Sequence, residues 1–393
     1  MTVAPGSITS LADLAGRPLP EVLAGCRELL EDMEFPTVQA WKEKGGTVCG
    51  HFQVYFPEEL AHAAGMLPVK VRGGPVEMRQ ADSHFGSYLC SILRSSLELA
   101  LGGKLPLDFF VTHPICDAAR NLCGVWARNF PYPSRILYLP QNPNSARSAD
   151  WLRDEYARLL RELSAVSGRT PTDDDLRASI AVYNENRRLI RALWAVKRDT
   201  PWLLGVDEAY ALLAVGSLVR REEHNALLTA VLPQLAARQA RKQDKVRVVF
   251  EGGFCEQPPL DLLGVIAQSC YVVDDDLLIG LRFLERDVPC GADPLAALAW
   301  TYIEGSGYSP VQHDLRKPKE HMLLARVRGS GAGAVILAAA KMCEPGLDEQ
   351  VAYSKALDEA GIPYFVTEFE EKMSSFDQMQ VQLETFVESI LFD

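Results

Sequence analysis

The chain has 393 residues, 48% apolar and 23% charged, the balance of a globular protein too long for one ordinary core. Lys and Arg number 40 against 52 Asp and Glu, a net charge of −12, which argues against broad nucleic-acid binding and leaves room only for a local basic pocket. No apolar run reaches bilayer length, the longest being strand-sized at 333–340. Residues 1–7 lack the basic-then-apolar order of a secretory signal, so a cytoplasmic location without a membrane partner is expected.

In chain order, residues 1–46 read as an N-terminal helical segment. Leu11, Leu14, Leu19, Val22, Leu23, Leu29 and Leu30 supply its apolar stripe, broken near Pro18 and Pro20. Residues 47–148 read as a first α/β domain, with strands at 47–52, 67–71, 108–112 and 135–140. Between them come helices at 56–65, at 87–101 carrying Cys90, and from 116 onward. Residues 149–243 are a helical connector, with patterns at 151–166, 174–198, 207–219 and 221–241. Residues 244–393 resume the alternation, with strands at 246–250, 271–273, 334–340 and 363–368. Helices at 260–269, 294–304, 319–328, 348–360 and 376–391 complete it. The expected fold is α/β: two Rossmann-like (flavodoxin-like) parallel-sheet domains joined by a helical segment.

Nine cysteines are many for a reducing compartment, and their odd number fits disulfides poorly. Cys26, Cys270 and Cys290 read as buried small hydrophobes, and Cys123, at i+7 from Cys116, as core packing. Cys116, Cys255 and Cys343 each follow directly on a predicted strand, where ligands bind in open α/β sheets. Cys116 also opens a helix after His113-Pro114-Ile115, and orphan amides there favour a thiolate. No repeated C-x-x-C spacing is present, so spacing alone leaves burial and ligation both open. Glu58 and Glu59 suit a helix first turn, and Asp274, Asp275 and Asp276 suit loop amides or a cap. His84 and His113 flank two of the cysteines, as hydrogen-bonded structural groups or as proton donors. Neither Gly252-Gly253 nor 329–333 has dinucleotide-fingerprint order, and no P-loop is present.

Several runs carry a wider resemblance: Tyr55-Phe56-Pro57-Glu58-Glu59-Leu60-Ala61-His62, His113-Pro114-Ile115-Cys116-Asp117-Ala118-Ala119-Arg120, and Leu139-Pro140-Gln141-Asn142-Pro143. Downstream are Val272-Val273-Asp274-Asp275-Asp276, Lys341-Met342-Cys343-Glu344-Pro345 and Leu357-Asp358-Glu359-Ala360-Gly361-Ile362-Pro363. Together, from about residue 47 to 141 and from 246 to 370, the chain resembles the 2-hydroxyacyl-CoA dehydratase and benzoyl-CoA reductase family. The resemblance implies a 4Fe–4S cluster held at the inter-domain cleft by Cys90, Cys116 and Cys343. Cys49 or Cys255 are alternatives for a fourth ligand, against buried packing. It makes Glu59 a candidate for the cluster surroundings and, with His113, a catalytic candidate.

The activity implied is ATP-dependent, ferredoxin-driven reduction of benzoyl-CoA to cyclohexa-1,5-diene-1-carbonyl-CoA, the thioester carbonyl stabilising the radical anion left by a first electron. The partners implied are a larger paralogous cluster-bearing subunit, ATPase subunits with their own iron–sulfur cluster, ferredoxin and the acyl-CoA substrate. ATP and Mg would be handled only through those ATPase partners. A 2-hydroxyacyl-CoA dehydratase component, a non-catalytic electron relay and a cluster-free scaffold remain alternatives.

Overall fold

A computed structural model describes residues 8–52, 56–252, 258–276, 285–305, 314–370 and 372–392. The chain begins with α1 (Ala12–Ala15), α2 (Leu19–Glu31) and α3 (Pro36–Glu43), divided at Pro18 and Pro36 because proline suits only a helix's first turn. There follow β1 (Val48–His51), α4 (Glu58–Ala63), β2 (Leu67–Lys70), α5 (Ser91–Leu101), β3 (Phe109–Thr112), α6 (Asp117–Asn129) and β4 (Ser134–Ile136). The helical stretch holds α7 (Ser148–Ser167), α8 (Asp173–Asp199), α9 (Val206–Ala214) and α10 (Arg221–Ala237). The second half holds β5 (Val246–Glu251), α11 (Leu260–Ser269), β6 (Cys270–Asp275), α12 (Pro294–Trp300), α13 (Lys319–Ser330), β7 (Ala334–Ala340), α14 (Glu344–Ala360), β8 (Tyr364–Phe369) and α15 (Asp377–Phe392).

Among the described residues these strands make two parallel sheets, ordered β2-β1-β3-β4 and β6-β5-β7-β8. Register is set by pairs such as Cys49 with Phe109 in the first and Val248 with Ala334 in the second. The two orders are the same, and in each the direction in which strands are added reverses between the first and third strands. The crevice that this opens at the carboxyl ends is where such sheets bind ligands.

Side-chain alternation divides the core. Val48, Val69 and Phe110 join a layer that also takes in Val22, Leu212 and Leu228 and continues to Val248, Phe250 and Ile336 of the second sheet. Cys49, Phe109 and Val111 point the other way, under Leu60, Leu152, Tyr156 and Leu159. The outer face of the second sheet is covered by Leu323, Val327, Tyr353 and Leu357. All seven residues of β7 are buried, the mark of a central parallel strand.

The long α8, roughly 40 Å at 1.5 Å per residue, ties the halves together. A capping box between Thr172 and Asp175 starts it. Arg187, midway along, meets Glu59 of α4, while Lys197, near its end, meets Asp275 of β6. The same helix therefore makes contact with both domains.

Three details depart from the sequence reading. The helix expected over 87–101 starts at Ser91, leaving Cys90 as its cap. The strand expected at 135–140 ends at Ile136. The helix expected at 294–304 runs only to Trp300 and continues as one wide five-residue turn, Thr301–Gly305. Val288, Leu298 and Tyr302 then pack with Tyr156 and Leu159 of α7, so part of the 244–393 stretch covers the first sheet.

Candidate functional site

Cys90, Cys116 and Cys343 share one local setting: each is the residue immediately before a helix, capping α5, α6 and α14 respectively. At that position the first backbone amides have no intrahelical partner and the helix dipole favours negative charge. Cys116 is extended (φ −149°, ψ 171°), and its Sγ accepts the Ala119 amide at 3.4 Å. Cys343 closes a tight turn off β7, its N–H donating to the Ala340 carbonyl at 3.0 Å. Met342 inside that turn has φ 61°, a left-handed conformation uncommon for a side-chain-bearing residue.

The Cys116 thiol is shifted mainly by its own surroundings. Burial is the main force pushing the Cys116 thiol up. The amides of Ala119 and Ala118 oppose it, and Cys343 and Glu344 of the second domain reinforce it. Cys343 belongs to the core layer shared by both sheets, and Cys90 and Cys116 pack at its margin. Cys116 and Cys343 occupy equivalent places, each after the third strand of its sheet. Among the described residues no three His, Cys, Asp or Glu converge as ligands of a single metal ion.

The other cysteines separate from this group. Cys49 is the second residue of β1, fully buried on the opposite sheet face among Phe56, Leu60 and Phe109. Burial, and then the Glu58 charge, push its thiol well up. Cys123 is buried in α6, and burial raises its thiol against the pull of the Thr112 hydroxyl. Cys26 and Cys270 are buried, their thiols pushed up to about 12 by desolvation. Cys290, expected in the core, is exposed, because it lies in the irregular stretch ahead of α12. Cys255 lies outside the described residues.

The acidic candidates are engaged in holding the first domain to the helical layer. Glu59, 2% exposed, pairs with Arg187, whose Nη1 also donates to Asn184 at 3.0 Å. Its charge is felt by Tyr156, which places the carboxylate on the Cys49 side of the sheet. Glu58 receives the Tyr183 hydroxyl at 3.0 Å, His51 Nε2 at 3.1 Å and Arg221. Burial works against ionisation there, but Arg221 and His51 overcome it and hold the carboxyl far below its usual range. In the second domain Asp275 pairs with Lys197, and Asp274 with Arg326 at 3.1 Å. Asp276 accepts the Gly252 amide at 3.0 Å.

His113, three residues before Cys116, is buried. Its Nδ1 donates to the Leu137 carbonyl at 3.1 Å, and desolvation lowers its pKa to about 4, so the ring is neutral at pH 7. His84 closes a short turn six residues before Cys90. The basic partners Arg187, Lys197 and Arg221 escaped the sequence reading. On polar helices they look like a solvated face, and a nearby run of acids on α4 was the one available signal.

The fold and these caps define a doubled parallel α/β protein with helix-capping cysteines in both domains. The chain belongs to the 2-hydroxyglutaryl-CoA dehydratase, D-component family, which matches over residues 53–390. It is 36% identical over 378 residues to one of the subunits of benzoyl-CoA reductase from Thauera aromatica, covering 94% of this chain and 98% of that one. It is 27% identical to the lactoyl-CoA dehydratase beta subunit of Anaerotignum propionicum, with 95% and 97% covered. The beta subunit of (R)-2-hydroxyglutaryl-CoA dehydratase from Acidaminococcus fermentans is 28% identical, with 89% and 94% covered. No helix among the described residues is long and apolar enough to cross a membrane.

Proposed function

We propose that the chain is the iron–sulfur-cluster-bearing subunit of an ATP-dependent, ferredoxin-driven reductase that converts benzoyl-CoA to cyclohexa-1,5-diene-1-carbonyl-CoA. What supports this reading is that Cys90, Cys116 and Cys343 each cap a helix, in a chain similar over nearly its whole length to a benzoyl-CoA reductase subunit. Cys90, Cys116 and Cys343 would hold a 4Fe–4S cluster, which supplies a low-potential one-electron centre when bound.

The three positions suit thiolate ligands. Each caps the amide end of a helix, where the dipole favours negative charge, Cys116 Sγ accepts an amide there, and the half-buried setting of Cys90 and Cys116 limits water. Cys49, on the other sheet face, fits the buried alternative better than a fourth ligand. The His113 ring, neutral at pH 7, fixes the chain ahead of Cys116 through the Leu137 carbonyl. Glu59 pairs with Arg187, holding α4 on α8. With no P-loop in the sequence, ATP and Mg fall to partner ATPase subunits that have their own cluster and are fed by ferredoxin. The acyl-CoA site is completed by a larger paralogous subunit.

A second reading, a 2-hydroxyacyl-CoA dehydratase component, is favoured by the family match and the dehydratase relatives. Ring reduction consumes an electron pair per product, whereas dehydration consumes none in net. The test is an anaerobic assay of the assembled complex with benzoyl-CoA and with a 2-hydroxyacyl-CoA, counting electrons per turnover. Stoichiometric consumption with benzoyl-CoA is expected; turnover of the hydroxyacyl thioester alone would replace the first reading with the second. Purified protein without iron and sulfide would remove both.

A further inference from the structure

We infer that Glu98 is a positioning residue for Cys90, its carboxylate pinning the β2–α5 loop to the helix that Cys90 caps. The inference rests on the cluster reading above, in which Cys90 is a ligand, and identifies what keeps that thiol in place. Cys116 follows its strand by four residues. Cys90, by contrast, ends a loop of 20 residues, 71–90, whose one piece of regular structure is the short turn Ala81–Ser83. Loops of that length without structure of their own are uncommon in compact domains, and one that delivers a ligand needs a fixed path.

Glu98 lies in the last turn of α5, where the helix dipole disfavours a negative charge. Its support comes from outside the helix. Oε2 accepts three consecutive loop amides, those of Arg79 at 3.0 Å, Gln80 at 2.8 Å and Ala81 at 2.8 Å. Successive amides turned towards one oxygen make an anion-binding nest, here filled by a side chain of the protein itself. Burial works against the charge, but these amides outweigh it and hold the carboxyl below its usual range. Val71, Ala81 and Phe85 also fasten the loop by burial, but apolar contact is non-directional. Hydrogen bonds to an ionised acceptor are stronger than neutral ones and set the register of the loop on the helix.

Two neighbours on α5 complete the clamp. Arg94, one turn before Glu98, donates from Nε to Asp82 at 3.1 Å. Ser95, fully buried, accepts the Gly74 amide at 3.3 Å and donates to the Ser91 carbonyl at 2.9 Å, in the turn that Cys90 caps. Ala81 is thus held at Glu98 and Asp82 at Arg94, so the loop runs back along α5 towards the helix start. That path covers roughly 12 Å from Glu98 to Cys90. On the way the His84 amide donates to the Ala81 carbonyl at 2.9 Å and the Leu89 amide to the Gly86 carbonyl at 3.2 Å. These turns brace the segment, and a shift at 79–82 is passed on to Cys90.

The test is peptide-resolved alkylation of the iron-free full chain with iodoacetamide, alongside iron loss from the anaerobically purified protein to a chelator. Glu98→Ala is expected to raise the alkylation rate of Cys90 about fivefold, while Cys116 stays within about twofold of the parent, because only the segment before α5 opens. Iron loss from the same variant should quicken by a similar factor, with circular dichroism as in the parent. Glu98→Gln keeps an acceptor oxygen and should restore both rates most of the way. Arg94→Met, which releases only the exposed Asp82, should raise Cys90 alkylation roughly twofold, and it keeps the test sharp if Glu98→Ala misfolds. Unchanged Cys90 alkylation in both Glu98→Ala and Arg94→Met, or equal acceleration at Cys90 and Cys116, would overturn the positioning role while leaving the cluster reading intact. Faster alkylation with unchanged iron loss would overturn the ligand role of Cys90 on which the inference rests. Parent protein without iron would instead overturn the functional reading.

Discussion

The two α/β domains share one strand order but present their cysteines differently. In the first, four residues from His113 to Cys116 leave β3, and Cys116 is extended, half-buried and bonded to the Ala119 amide. In the second, β7 gives way to Cys343 within a tight turn through left-handed Met342, and Cys343 is buried. Cys90, moreover, belongs to the first domain, on a helix after the long β2–α5 loop. The equivalence of Cys116 and Cys343 follows from topology, since both occupy the switch-point crevice. The asymmetry comes from the loops, which let one domain supply two thiols.

The strongest way to break this comparison is to remove one thiol at a time. Cys116→Ser and Cys343→Ser should each lose most of the iron in anaerobically purified protein, with circular dichroism unchanged. Cys49→Ala should keep its iron and lose only about 1 kcal/mol of stability for the small cavity. Full iron in Cys116→Ser, or major loss in Cys49→Ala, would mean that the two sheet faces have been assigned the wrong way round.

The next largest effect concerns the clamps that set the domains against each other. Lys197→Met takes from Asp275, whose carboxyl burial already pushes up, its buried counter-charge, a loss of about 3–5 kcal/mol. Arg187→Met does the same to Glu59. Urea unfolding should show both losses, and Lys197→Met combined with Asp275→Leu should recover most of the first. A single-mutant loss under about 1 kcal/mol would show that these pairs do not hold the halves together.

Much of this was legible in the sequence. The apolar run 334–340 reads as a buried strand, and Cys116 and Cys343 fall at strand ends because the apolar runs 109–111 and 334–340 stop just before them. Cys90 was harder, since Ser87, Tyr88 and Leu89 are compatible with a helix and nothing local says that it starts at Ser91. Cys49 carried a signal that was there to use. Inside a strand, parity puts it on the face of Phe109 and Val111, away from the end where ligands gather. The clamps were not readable, because the burial of Arg187 and Lys197 comes from two domains closing on α8, not from any pattern within it. The return of residues 288–303 to the first sheet is likewise tertiary.

Acid should distinguish the halves. His113, in the first domain, and His224, in the helical layer beneath it, are buried, with pKa values lowered to about 4 and about 3. Desolvation is the main cause for both. The neighbouring Arg221 adds to it at His224, whose Nε2 donates to the Leu212 carbonyl at 2.9 Å. An unfolded histidine takes up its proton near pH 6.5, so between there and the folded value the unfolded chain binds more protons. Stability therefore rises with pH across that window and is progressively lost as pH falls from 6.5 toward 4, by on the order of 3 kcal/mol per ring. Urea midpoints from about pH 7.5 to about 4.5 should fall in the parent and fall less in His113→Gln. An equal slope in both would remove His113 from the account.

The smallest effect isolates the turn that distinguishes Cys343 from Cys116. Met342 holds a left-handed backbone that costs a non-glycine residue about 1 kcal/mol or more, and its side chain is 53% exposed, so packing returns little. Met342→Gly removes that strain but widens the freedom of the unfolded chain, leaving a net gain of about 0.5 kcal/mol in the iron-free protein. No counterpart exists at the first-domain turn, where no residue between Thr112 and Cys116 has positive φ. Thermal unfolding of the iron-free variant should thus show a small rise. Iron retention after a chelator challenge should fall if the strained turn serves to aim Cys343 at Cys116. A rise in both would mean that the strain is incidental and the two turns differ in shape without differing in purpose.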